Sequence, residues 1–124
     1  MYQVLAIAGG GAIGALLRFY ASSGMYALLG RGFPYGTLFV NVSGSLVMGF
    51  LYILFLERLQ VAPEVRSALL VGVLGAFTTF STFSIETLAL LEDGEISKAV
   101  LNIMLSVSLC ILAAWLGVIG GRQL

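Results

Sequence analysis

Four long stretches of this chain carry almost no charge, and no other feature constrains its fold as strongly. Residues 32–56, 67–85 and 99–121 contain no Asp, Glu, Lys or Arg, and residues 2–29 contain only Arg18. A bilayer core about 30 Å thick is crossed by about 20 helical residues. Each stretch is long enough with its flanks, so the sequence predicts four transmembrane helices at about 2–29, 36–56, 67–91 and 98–121, forming one domain over 1–124. The apolar runs are continuous rather than alternating, which excludes β-barrel strands. Short connections at 30–35, 57–66 and 92–97 leave no room for a soluble domain. The N-terminus lacks the basic region and small-residue cleavage site of a signal peptide, so the first span is expected to be retained. The expected fold class is an all-α, multi-pass membrane protein.

Composition agrees. Hydrophobic residues make up 60% of the chain and charged residues 10%, against about 25% charged in an average soluble domain. That excludes an ordinary cytosolic enzyme domain and a disordered chain. Six basic and six acidic residues give zero net charge, so there is no electrostatic footprint for nucleic acid. Cys110 is the single cysteine and there is no histidine. A disulfide framework, a zinc site and a Cys–His nucleophile pair are therefore excluded.

Basic residues set membrane orientation, and here they are nearly balanced. Arg58, Arg66 and Arg122 fall on one side, Arg31 and Lys98 on the other. Two readings follow: one orientation set by other factors, or dual topology in which both copies are needed. A bundle this small leaves little interior for a solvated path, so a path is more easily built between subunits. The pairs Gly10/Gly14, Gly11/Ala15, Ser45/Gly49 and Gly117/Gly121 are spaced for close helix packing.

Polar groups at membrane depth are costly, so their positions point to function. Arg18 either snorkels to the headgroups or lines an anion entrance. Thr37, Asn41 and Ser45 recur every four residues and share one helix face. That face serves either interhelical hydrogen bonding or a line of donors along a conduit. Residues 72–86 read Gly-Val-Leu-Gly-Ala-Phe-Thr-Thr-Phe-Ser-Thr-Phe-Ser-Ile-Glu. Gly72 and Gly75 ahead of a Thr pair suit a helix break at membrane depth, which is tolerated only where protein or water covers the freed backbone. Freed carbonyls suit a cation, and freed N–H groups an anion. The plainer reading is an unbroken helix with a hydroxyl-rich packing face. In a helical second half, Phe80 and Phe83 project together, while Thr79, Thr82 and Glu86 form a second face. Ring edges carry partial positive charge and can meet a small anion, though paired phenylalanines are also common packing. Glu86 is either a solvated interfacial residue or a partner of Arg18 or Lys98.

Three segments in order, 9–18 (Gly-Gly-Gly-Ala-Ile-Gly-Ala-Leu-Leu-Arg), 36–45 (Gly-Thr-Leu-Phe-Val-Asn-Val-Ser-Gly-Ser) and 75–86, make the sequence resemble the Fluc (CrcB) family of fluoride channels. The resemblance implies an antiparallel, dual-topology homodimer with two fluoride pathways and a third helix broken mid-membrane. It implies that backbone carbonyls at Gly75 and Thr78 hold a structural sodium ion at the dimer centre. It implies that Phe80 and Phe83 line the pores and that Asn41 points into them. Ser81, Thr82 and Ser84 would belong to a hydroxyl-rich polar track, with Thr79 counted among the pore residues. Glu86 would lie near a pore end and Arg18 near a vestibule. The implied activity is passive expulsion of fluoride across the bacterial inner (plasma) membrane.

The residues suit that ion. Fluoride is small and strongly hydrated, so dehydration is its main barrier. Hydroxyl and amide donors can replace water, and conduction needs weak, multiple sites rather than a strong fixed charge. No Lys or Arg falls within 37–45 or 77–84. The alternative is a proton-coupled small multidrug exporter, also short and four-span. Such proteins rely on a carboxylate deep in the first span, and none is present here. No nucleophile–base or metal constellation suggests an enzyme.

Overall fold

A computed structural model describes residues 1–124. The chain is all-helical, with four long helices: α1 (Tyr2–Leu29), α2 (Tyr35–Arg58), α3 (Pro63–Glu92) and α4 (Ile96–Arg122). Each is long and apolar enough to cross a membrane. The expected ends at 36–56, 67–91 and 98–121 fall short by a few residues, for local reasons. Helix α3 starts at Pro63 rather than 67, because proline's fixed φ and missing N–H suit a first helical turn. Helix α2 runs on to Arg58 through a wider π-type turn, closed by the Leu59 N–H on the Leu54 carbonyl at 2.8 Å. The α1–α2 turn leaves the helix at Gly30 with φ 83°, a backbone region that glycine enters without steric cost.

The helices run up and down, and contacts at their ends fix which termini meet. At one end Gln3 donates to Ser67 at 2.7 Å, the Arg58 guanidinium donates to the Arg122 carbonyl, and Arg122 lies 3.6 Å from Glu57. At the other end Lys98 donates to the Gly32 carbonyl at 3.2 Å and lies 3.9 Å from Glu95. Arg58, Arg66 and Arg122 thus share one end, with Arg31 and Lys98 at the other.

Two helix pairs carry the packing. Helix α1 lies along the first part of α3, and α2 along α4. Both crossings depend on glycine. A Cβ at Gly10 or Gly14 would run into the Ala68 or Val73 backbone of α3. A Cβ at Gly49 or Gly117 would run into the Ala114 or Leu46 carbonyl across the α2–α4 contact. Three of the four small-residue pairs therefore serve contacts within one chain. Gly11, of the Gly11/Ala15 pair, meets no neighbour within 4 Å.

Only 19 of 124 residues are buried, and large apolar side chains such as Leu5, Val71, Ile111 and Trp115 stand exposed. In water such a surface would be an aggregation liability; in a bilayer it suits contact with lipid.

Helix α3 is irregular in its middle. Residues Ala68–Leu74 form a π-helical turn, and a short α-helical piece reaches Phe77. Thr78 (φ −89°, ψ 157°) and Thr79 (φ −153°, ψ 119°) are extended, and α-helix resumes over Phe80–Glu92.

Candidate functional site

The extended pair is the organising feature of the site. A helix that stops leaves carbonyls without intrahelical partners, and one that starts leaves N–H groups likewise. Side chains from three helices meet these groups. The Leu74 carbonyl accepts from both the Thr78 N–H (3.1 Å) and the Thr78 hydroxyl (3.0 Å). Arg18 of α1 donates its Nε to the Ala76 carbonyl at 3.1 Å. A cation at this point also complements the negative end of the helical segment before it. Thr79 is the N-cap of the second segment, its hydroxyl accepting from the Thr82 N–H at 3.2 Å. Gly44 of α2 makes room for the irregularity, since a Cβ there would strike the Thr78 methyl and the Phe77 ring.

Asn41 clamps the extended backbone. Its Nδ2 donates to the Thr79 carbonyl at 3.0 Å, and its Oδ1 accepts from the Thr79 N–H at 2.8 Å. An amide has two N–H donors and an acceptor. This pairing uses the acceptor and one donor, leaving one amide hydrogen for another partner.

Beside the clamp lies a groove of about 490 Å³ whose lining includes Asn41, Ser45, Thr79, Phe80, Phe83 and Ser106. Cys110 of α4 also lines it, with its thiol half-buried. The Phe80 and Phe83 rings lie 5.3 Å apart at 42°, so they project together as their spacing predicts. Phe80 is 77% exposed, far more than a core residue. Ser81 and Ser84 are exposed as well. The Ser84 hydroxyl donates to the Phe80 carbonyl at 2.9 Å, and Ser81 lies 3.4 Å from the Thr79 hydroxyl.

The second face of this helical segment looks into the chain. The Thr79 hydroxyl donates to Thr82 at 3.0 Å. Further along, Glu86 accepts from the Tyr26 hydroxyl at 2.9 Å, and Tyr26 lies 3.3 Å from the hydroxyl of buried Thr37. The two partners anticipated for Glu86 are engaged elsewhere: Arg18 on the Ala76 carbonyl, Lys98 near Glu95. Charge complementarity suggested them, but neither side chain meets Glu86 in the fold, and a neutral phenol does.

A third polar cluster was not singled out from the sequence. Asn102 of α4 is 2% exposed and donates to the Thr87 hydroxyl at 2.9 Å, while the Ser106 hydroxyl donates to the Asn102 side-chain Oδ1 at 3.3 Å. Thr87 in turn donates to the Phe83 carbonyl at 2.7 Å. The signal was present, since Asn102 and Ser106 stand one turn apart in an uncharged span, as Asn41 and Ser45 do. No three of the Asp, Glu and Cys side chains converge to hold a metal ion. Cation binding here would rest on backbone carbonyls.

Comparison with known proteins identifies the family. Residues 5–118 match the family described as "CrcB-like protein, Camphor Resistance (CrcB)". A Fluoride-specific ion channel FluC of Magnetococcus marinus is 55% identical over 120 residues, covering 97% of this chain and 98% of the relative. One of the same name from Geobacter sulfurreducens is 48% identical over 124 residues, covering the whole of both. A third, from Methylococcus capsulatus, is 59% identical over 122 residues, and the chain spans 54% of its length. With the match running through all four helices and the Asn41–Thr79 site, the chain belongs to the CrcB-like protein family.

Proposed function

We propose that the chain is a passive, fluoride-selective ion channel that lets fluoride leave the cytoplasm, lodged in a bacterium in the inner membrane. The observation that carries this reading is the extended Thr78–Thr79 backbone, clamped by Asn41 beside the paired Phe80 and Phe83 rings. Relatives that match nearly end to end bear the name Fluoride-specific ion channel FluC.

The chemistry follows from the donors. A fluoride ion must exchange its hydration shell for substitutes of similar strength but little net charge. The groove offers the spare Asn41 amide hydrogen, the Ser45 hydroxyl and the positive edges of Phe80 and Phe83, while the Thr79 and Ser106 hydroxyls, which donate to Thr82 and Asn102, must rotate to donate to the ion. Larger anions are held back by the rings, and no basic side chain lines the groove to trap an anion.

The groove is open on one side of a single chain, and a second copy completes it in this reading. The functional unit is an antiparallel, dual-topology homodimer with two pores. The extended pair is then the mid-membrane break of the third helix. The two breaks meet at the dimer centre, where carbonyls of Gly75 and Thr78 hold a sodium ion. The donor set fits such an ion. It offers hard, neutral oxygens at the end of a helical segment, and carboxylates are not needed for a monovalent cation. When bound, sodium supplies positive potential near the path. Arg18, Asn41 and Thr79 hold the backbone in shape around it.

Proton-coupled multidrug exchange has no support from the site, since Glu86 is bonded to Tyr26 and α1 carries no acid. The test is fluoride release from potassium-loaded proteoliposomes after a potassium ionophore is added. Rapid fluoride release without chloride release is expected. No release from folded protein under any ionic condition overturns the reading.

A further inference from the structure

Glu86 is the one charged residue between positions 67 and 91 of α3, and its surroundings are unusual. Its Oε2 accepts from Tyr26, while its Oε1 is buried with no hydrogen-bond partner. Tyr26 has one hydroxyl hydrogen, and the carboxyl takes it. The 3.3 Å contact with Thr37 must then run the other way, with Thr37 donating to Tyr26. The result is a directed chain, Thr37 to Tyr26 to Glu86, joining α2, α1 and α3. Thr37 lies one turn from Asn41 on α2, so both ends of α2's polar face hold neighbouring helices. On the outer side, the Arg31 guanidinium covers the Tyr26 ring at 4.5 Å from its centroid. Tyr26, Arg31, Glu86 and Asp93 line a separate cavity of about 200 Å³ beside the α1–α2 turn.

We propose that Tyr26 is a positioning residue that holds the Glu86 carboxyl against α1 and offsets its charge, so that it does not repel anions at the end of the pathway. The inference rests on the channel reading above. A carboxylate at a pore end raises a barrier to fluoride by direct repulsion. Donation from the phenol spreads that charge, and the anchored geometry keeps the carboxyl on the side of the segment that faces α1. Phe80 and Phe83 occupy the groove side. Phenylalanine at position 26 would keep the ring, its packing and its contact with Arg31, and lose only the hydroxyl.

The test is a double-substitution cycle with a second readout independent of transport. Tyr26→Phe is expected to slow fluoride release about tenfold, the scale of one hydrogen bond to a charged group. In a Glu86→Gln background the same change is expected to alter release less than twofold. In the infrared spectrum, the carboxyl band lost on Glu86→Gln identifies Glu86, and Tyr26→Phe is expected to shift that band. Equal slowing in both backgrounds, no slowing, or an unshifted band overturns the proposal. Failure of the channel reading is distinguishable, because the wild-type chain would then release no fluoride while the infrared band still decides whether Tyr26 holds Glu86.

Discussion

Asn41 shows how one side chain can determine both shape and chemistry. Its amide is paired with both polar groups of Thr79, so it substitutes for a missing turn of helix. A part-buried peptide stripped of both partners costs about 1–3 kcal/mol per group. Asn41→Ala is therefore expected to lower folded-state stability by about 2 kcal/mol or more and to cut fluoride release at least tenfold. Denaturant titration in detergent and liposome efflux measure the two effects. Asn41→Asp separates them. The carboxylate still accepts from the Thr79 N–H, so stability falls less, but it donates nothing and places a negative charge in the groove. Release is expected to vanish in that variant while most of the fold survives. Equal stability loss in the two variants would show that the Thr79 N–H bond contributes nothing.

At the scale of helices, the molecule is two tightly crossed pairs linked through an irregular α3. The four spans and the hydroxyl–phenylalanine segment were legible in the sequence because both are local signals: length without charge, and density of Thr, Ser and Phe over 78–84. The Asn41–Thr79 pairing spans 38 positions and the Tyr26–Glu86 contact 60, and no local pattern encodes partners so far apart. The π-turns at Leu54–Arg58 and Ala68–Leu74 were equally invisible, since a one-residue widening leaves composition unchanged. Asn102 was missed for a different reason. It follows the same rule as Asn41 but lies in a span with no neighbouring motif to draw notice. The glycine pairs were visible, though their partners were not. Their geometry now makes a graded prediction. Gly14→Val and Gly117→Val force α3 or α2 backbone away and are expected to cost at least the roughly 1–3 kcal/mol of an overpacked core. Gly9→Ala and Gly11→Ala meet open space within the chain and replace glycine with a better helix former. The yield of monodisperse protein after detergent extraction should follow that order. A Gly11→Ala chain that folds but fails to dimerise would instead place this face of α1 in the subunit contact.

The whole molecule presents an apolar exterior with a groove lined by polar groups and aromatic rings, and its end charges do not favour one orientation. Arg58, Arg66 and Arg122 at one end face Arg31 and Lys98 at the other, an excess of one basic residue. Orientation follows the basic residues of short loops, so small changes should tip the balance. Two lysines added to the 30–35 turn are expected to hold that end in the cytoplasm. Two added to the 59–62 connection should hold the opposite end there. If function requires an antiparallel pair, each biased chain alone has no partner of the needed orientation. Each is then expected to lose fluoride resistance in cells, and coexpression of the two is expected to restore it. A C-terminal reporter active on only one side of the membrane verifies the orientation of each chain independently of transport. Full activity of either biased chain alone would mean that one orientation suffices, and the groove would then have to be completed by a parallel copy. The coexpression result is the more demanding arm, because two inactive chains regain activity only if each supplies what the other lacks.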